Sequence, residues 1–233
     1  MTTLRLVAVS SGLSVPSSTR MLVDAAVESA SDYARSLGHE VEVEVIELRD
    51  LAMDVAQVMV TGMPQNRVEA ALDALEAADA VIAVTPVFAG SYAGVFKSFM
   101  DLVGTQRLDG TPVFLGATGG SVRHSLAVDH ALRPLFATLH AQVTATGVFA
   151  ATEDFGSSWK GQNASGLAPR IARASKELIN LALARLGAAP AQDDDPVGTP
   201  GPQAVAKLLK SDGTAGRLRP DLEDFLPMAD LLK

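Results

Sequence analysis

The stretch Leu4-Arg5-Leu6-Val7-Ala8-Val9-Ser10-Ser11-Gly12-Leu13-Ser14-Val15-Pro16-Ser17-Ser18-Thr19-Arg20-Met21-Leu22 passes from an apolar run through a hydroxyl-rich loop into a helical pattern. Leu4 to Val9 is apolar apart from Arg5, the composition of a strand buried on both faces of a sheet. From about Thr19 to Leu37, Met21, Leu22, Ala25, Ala26, Ser29, Ala30 and Tyr33 fall on related faces of a helix, and Gly38 is placed to end it. Four further strand-then-helix units follow.

Val41 to Leu48 alternates Val or Ile with Glu, which predicts a half-exposed strand near a sheet edge. Leu51 to Gln65 reads as irregular, with Gly62 and Pro64 marking a loop, and Asn66 is placed to cap a helix through about Ala78. Ala80 to Val84 and Pro112 to Ala117 are buried-strand runs. The first leads through 85–91 to a helix ending near Val103, and the second leads to a helix from about Arg123 to His140. Gln142 to Val148 reads as a fifth strand, and Leu167 to Leu186 has helix periodicity. Five such units predict a doubly wound, five-stranded parallel sheet with helices on both faces, an α/β fold. Ligands in such sheets bind at the carboxyl ends of the strands. Three loops at that edge (10–18, 85–91 and 118–121) are rich in Ser, Thr and Gly.

Composition narrows the function classes. The chain has 233 residues, is 48% hydrophobic and carries a formal net charge of −8. That charge disfavours nonspecific binding to nucleic acid or an anionic membrane. With no cysteine, disulfides, thiolate metal sites and cysteine nucleophiles are excluded. No apolar run approaches the roughly 20 residues of a membrane helix, and the N-terminus has no signal-peptide pattern. The expectation is a soluble, cytoplasmic protein.

A helix starting near Thr19 aims free N–H groups and its dipole back into the first loop. The added hydroxyls suit a terminal phosphate without a metal. Ser17 and Ser18 serve equally as a plain helix N-cap, and the loop alone leaves both readings open. It lacks Gly-x-Gly-x-x-Gly and a Gly-Lys-Ser/Thr ending, which disfavours a dinucleotide fold and a P-loop. In the second loop Pro86 is expected to turn the chain away from the strand, and Gly90 to allow close backbone approach to a ligand. Thr118-Gly119-Gly120-Ser121 offers another such backbone.

The stretch from Thr85 to Asp101, Thr-Pro-Val-Phe-Ala-Gly-Ser-Tyr-Ala-Gly-Val-Phe-Lys-Ser-Phe-Met-Asp, and Ala-Thr-Gly-Gly-Ser-Val-Arg-His-Ser-Leu-Ala-Val-Asp-His-Ala-Leu-Arg-Pro-Leu from Ala117 to Leu135 carry a resemblance. With the first loop they resemble the NADPH-dependent FMN reductase family, particularly the reductases serving sulfonate and luciferase-like monooxygenases. The resemblance spans roughly residues 4–186 and implies a flavodoxin-like fold. It further implies that Ser10, Ser14, Ser17, Ser18 and Thr19 hold the phosphate of flavin mononucleotide (FMN). Pro86, Val87, Phe88, Ala89, Gly90 and Ser91 line the isoalloxazine ring, and Thr118, Gly119 and Gly120 face its other polar edge. Two positions depart from the pattern. Ser14 stands where many relatives carry arginine, so that Arg20 or a neighbouring subunit would supply charge, and Phe88 stands where tyrosine is common. The resemblance also implies an inserted residue, a π-bulge, at Val128-Asp129-His130-Ala131 in a helix at a subunit interface; the alternative is a surface or interface histidine with no special role.

The implied activity is NAD(P)H-dependent reduction of FMN by hydride transfer. It names no catalytic side chain, because position and electrostatics are the protein's share. FMN and NADPH (or NADH) are the implied cofactors, a luciferase-like flavin monooxygenase the implied client, and a homodimer or homotetramer the implied assembly. Arg20, Lys97 and Arg123 are candidates for the nicotinamide nucleotide's phosphates. Rival readings are an FMN-containing quinone or azo reductase and a non-catalytic flavodoxin-like electron carrier or flavin-binding protein. A hydrolase built on Ser121, His124, Ser125, Asp129 and His130 is disfavoured, since His124 and Asp129 on one helix point apart and no Gly-x-Ser-x-Gly elbow exists. A metal site from His124, His130 and His140 is disfavoured by their spacings of six and ten. Residues 1–187 read as the flavin-binding domain. Residues 188–233 read as an extension, partly flexible or docking on the domain or a neighbouring subunit.

Overall fold

In a computed structural model of the chain, residues 2–155 and 166–188 are described; the C-terminal extension lies outside them, apart from Ala188. The elements are β1 (Thr3–Ser10), α1 (Ser18–Ser36), β2 (Glu40–Glu47), α2 (Leu48–Thr61), α3 (Asn66–Glu76), β3 (Ala80–Phe88), β4 (Ser91–Tyr92), α4 (Gly94–Val103), β5 (Pro112–Gly119), α5 (Arg133–Thr138), β6 (Gln142–Val143), β7 (Val148–Ala151) and α6 (Leu167–Arg185). The sheet order is β2-β1-β3-β5-β6, with β7 also pairing β5 and the short β4 pairing β3. All pairings are parallel except β3 with β4. This is the flavodoxin-like order, with its switch point between β1 and β3.

Alternation along the central strands divides the core in two. Leu4, Leu6 and Ala8 of β1, Ala80, Ile82 and Val84 of β3, and Phe114 of β5 pack with α1 and α6 on one face. Val7, Val9, Val81, Ala83, Val113 and Leu115 pack with α2 to α5 on the other. The predicted helices on both faces are therefore present, and the Glu-rich β2 lies at an edge as its alternation predicts.

Three local expectations are corrected. The stretch expected as a loop at Leu51 to Gln65 is mostly α2: Leu48, Leu51 and Val55 are buried at helical spacing, and Gly62 (φ 68°) is its left-handed C-cap. Gly62 and Pro64 punctuate the end of a helix there. Pro86 does not turn the chain. Strand β3 continues through it to Phe88, with Pro86 in register with Thr118, and reverses at Ala89-Gly90 (φ 50° and 83°) into β4. Two central residues at positive φ are those of the hairpin turn that matches strand twist. The expected fifth strand is split into β6 and β7, because the chain leaves the ladder after the Thr144 N–H has donated to the Val113 carbonyl and rejoins it at Val148.

No helix among the described residues is long and apolar enough to cross a membrane. At the hairpin turn, Ala89 holds a left-handed conformation that costs an ordinary L-residue roughly 1 kcal/mol and asparagine less. Ala89→Asn is therefore expected to raise the thermal midpoint by roughly 2–4 °C, measured by calorimetry.

Candidate functional site

Strands β1 and β2 end level with Val84 of β3, which runs on beside β5. Ser10 is in register with Glu47 of β2 and Val84 of β3, and Thr85 with Ala117 of β5. The first loop leaves this level pinned by Ser11, whose N–H and hydroxyl both donate to the Val84 carbonyl at 3.2 Å. It contains a cis Val15–Pro16 bond and re-enters at Ser17, the N-cap of α1, whose Oγ accepts from the Arg20 N–H at 3.2 Å. Gly12 is buried against that cap: a Cβ on it would lie 2.0 Å from Ser17 Oγ.

The first and third loops meet at Thr19 and Thr118, both buried, whose hydroxyls are 2.9 Å apart. Ser14 and Ser18 are exposed. Ser10 Oγ is fully buried, shares the side of the sheet on which α1 packs, and has no hydrogen-bond partner. A buried hydroxyl without a partner costs free energy until something supplies one. The second loop is the β3–β4 hairpin, tied down by the Ala93 N–H donating to Thr85 Oγ1 at 3.0 Å. Ladder pairing uses Val87, Phe88, Ser91 and Tyr92, so Ala89 and Gly90 form the free tip, and Phe88 stands 53% exposed. Gly119 lies under Phe149, where a Cβ would meet its ring at 2.9 Å, while Gly120 faces open space. The hydroxyl loop, the hairpin and the Thr118–Gly120 turn thus come together as the sequence implied.

Beyond β5 the expected long helix is interrupted. A 3-10 turn (Val122–His124) is followed by a π-helical turn over Val128–Leu132 that contains His130, the position at which an inserted residue was implied. The turn is anchored from outside the helix. Arg133 donates to the carbonyls of Thr144 (2.9 Å) and Ala145 (3.2 Å) and pairs with Asp129, while Val128 fills the space that a side chain at Gly147 would need. His130, Tyr92 and Lys97 border a cleft of about 590 Å³ between α4 and α5.

The cation candidates part company. Lys97 is paired with Asp101. Arg20, expected to supply charge to the cradle, donates to Glu47 (2.6 Å) and Asp24 (2.7 Å) instead, and these bonds, Glu47's first, raise its pKa further above its ordinary value. Arg123 is exposed, and no ion pair of its own is found among the described residues. Glu47, which sequence reading left out of the site, is placed there by register; its position ending an alternating strand beside the loop was the available signal.

Residues 4–156 match the NADPH-dependent FMN reductase family. The chain belongs to that family. A Pseudomonas aeruginosa protein named FMN reductase (NADPH) is 38% identical over 151 residues, 65% of this chain and 78% of that one. The NADH-dependent FMN reductase SfnE of Pseudomonas putida is 37% identical over 180 residues, covering 77% and 93%. A crystal structure of an oxidoreductase from Corynebacterium diphtheriae superposes with a TM-score of 0.73 at 42% identity, covering 78% of this chain and 98% of that one. As a member of the NADPH-dependent FMN reductase family the protein is an oxidoreductase, with FMN and a reduced nicotinamide nucleotide as its cofactors.

The tight seat of Gly12 on the helix cap yields a test. Gly12→Ala and Ser17→Ala are each expected to destabilise the protein by about 1 kcal/mol, because both disable the same cap. In a denaturation cycle the double variant should cost clearly less than the two singles added.

Proposed function

We propose that the three loops hold FMN in one orientation and that the protein reduces it as an exchangeable substrate. Ser10, Ser14, Ser17, Ser18 and Thr19, with the N–H groups opening α1, receive the phosphate. Hairpin residues Pro86 to Ser91 line the isoalloxazine ring, and Thr118, Gly119 and Gly120 face its other polar edge. The observation that carries this is the buried, unpartnered Ser10 hydroxyl at the sheet's switch point, beneath a helix N-terminus. The hydroxyls already engaged have partners within the protein, Ser17 as a cap and Thr19 with Thr118 of the third loop, which fixes the cradle's shape before anything binds.

Bound FMN supplies the hydride-accepting centre for NAD(P)H. The chain's own contribution is placement. The Ala89-Gly90 tip offers backbone outside the ladder, Phe88 offers an apolar wall, and Gly119 and Gly120 let the main chain approach closely. Hydride transfer between stacked rings demands no acid or base from the protein, and no side chain is assigned one.

Exchange of the flavin, with delivery of its reduced form to a luciferase-like monooxygenase, is supported by the π-helical turn, the feature that the resemblance ties to monooxygenase-partner reductases. The same turn, with Val122 and Leu126 exposed beside it, is the surface assigned to self-association as a homodimer or homotetramer.

The isolated protein is expected to be nearly colourless and to oxidise NADPH or NADH in saturable dependence on added FMN. A yellow protein indifferent to added FMN would establish a bound prosthetic flavin and favour a quinone or azo reductase. Absence of FMN binding would overturn the flavin site altogether. A second test uses the orphan hydroxyl. Ser10→Ala should stabilise the flavin-free protein by about 1 kcal/mol while weakening FMN binding, read by melting curves and fluorescence titration.

A further inference from the structure

The first loop, Ser10 to Thr19, contains no lysine or arginine. The next residue, Arg20, is its adjoining cation, and its side chain is drawn sideways to two carboxylates. One of them is not an ordinary surface partner. Glu47 ends β2 directly in register with Ser10, and its side chain is only 19% exposed. It also makes no capping bond to α2, the helix it precedes. The fold thus sets a carboxylate beside the cradle proposed for a dianionic phosphate, and Arg20 lies against that carboxylate. With Asp24 on the other arm of the guanidinium, the three side chains sum to one net negative charge at the rim.

We propose that Glu47 is a specificity-determining residue that keeps FMN binding weak. It holds Arg20 out of the phosphate cradle and opposes the phosphate with its own charge. This rests on the reading of the first loop as the phosphate site. A reductase that must release its product flavin gains from a cradle built of hydroxyls and N–H groups without a cation. Arg20 neutralises Glu47 and makes no contact with phosphate. The arrangement distinguishes FMN from riboflavin: only the phosphate senses the rim charge, so riboflavin affinity is indifferent to it.

The test is a fluorescence titration of FMN and of riboflavin into the full-length flavin-free protein and its variants. Glu47→Gln removes the opposing charge and frees one arm of Arg20, and should tighten FMN binding about tenfold, the value of one charge-assisted hydrogen bond at the low end of its range, with riboflavin unchanged. Arg20→Gln leaves Glu47 unneutralised and should weaken FMN about as much. The double variant should return close to wild type, because each residue acts through the other. Asp24→Asn, at an exposed position, should give a smaller tightening and guards against a folding defect in Glu47→Gln. If the double variant stays as weak as Arg20→Gln, Arg20 contacts the phosphate directly and the proposal is overturned. FMN affinity within twofold of wild type in both Glu47→Gln and Asp24→Asn overturns it as well. Equal affinities for FMN and riboflavin in every protein would be a different result: the phosphate would lie outside the loop, and the phosphate-site reading would fall along with the proposal.

Discussion

Parallel pairing of β1 with β2 on one side and β3 on the other sets Ser10 level with Glu47 and Val84. The chemistry of the molecule follows from that alignment, since parallel strands deliver all their carboxyl ends, and the loops leaving them, to a single edge. Ser11 fixes the level by donating twice to the Val84 carbonyl, so the hydroxyl loop cannot drift relative to the hairpin that follows β3. The Thr19–Thr118 bond repeats the arrangement one strand further on. A one-residue slip of β1 would turn its Leu4-Leu6-Ala8 face from α1 and α6 toward the opposite helices, so core packing enforces the register the site needs.

The far side of the site rests on polar contacts. The break between β6 and β7 frees backbone groups, and they are taken up by side chains from two helices. Arg133 binds the carbonyls of Thr144 and Ala145, and Glu177 of α6 accepts from both the N–H and the hydroxyl of Thr146 (2.7 and 2.6 Å). A π-helical turn is a poor solution for a helix left alone, since its wider backbone packs less well. Here the turn is held by Asp129 with Arg133 and by Val128 seated on Gly147. Strand break and π-turn stabilise each other, and together they set His130 at the rim of the cleft beside Tyr92 and Lys97.

The sheet and most helices were legible because two-sided burial writes itself into sequence as apolar runs, and edge exposure as the Val–Glu alternation of β2. The second helix was not. Leu48, Leu51 and Val55 carry its period, but Met53, Met59, Val60 and Met63 are apolar and exposed, which blurs the amphipathic pattern, and Gly62 with Pro64 reads equally as loop or helix end. The hairpin at Ala89 was hidden because proline is compatible with a strand that gives up one ladder donor, and alanine does not advertise a positive φ. That the three loops leave the same edge of the sheet was legible from composition and resemblance. Their partners were harder to read: Arg133 and Glu177 act through contacts with chain segments distant in sequence that no local pattern marks, and Glu47 is marked only by its place at the end of the alternating strand β2.

The proposed site, which assigns no side chain a catalytic role, places unusual weight on small residues and on charges just outside the ligand. At Gly12 and Gly119 a single added carbon would strike the Ser17 hydroxyl or the Phe149 ring, so those glycines shape the cradle more strictly than the exposed Phe88 does. Where position is the catalyst's whole contribution, rate is set by how well the backbone stays put, and turnover by how readily the flavin leaves. Those demands conflict if the same groups serve both. This fold separates them. Rigidity comes from buried contacts such as Ser11 with Val84 and Thr19 with Thr118, whereas retention, on the proposal made here, is governed by charges at the rim, Arg20, Asp24 and the largely buried Glu47, which can change without disturbing the core.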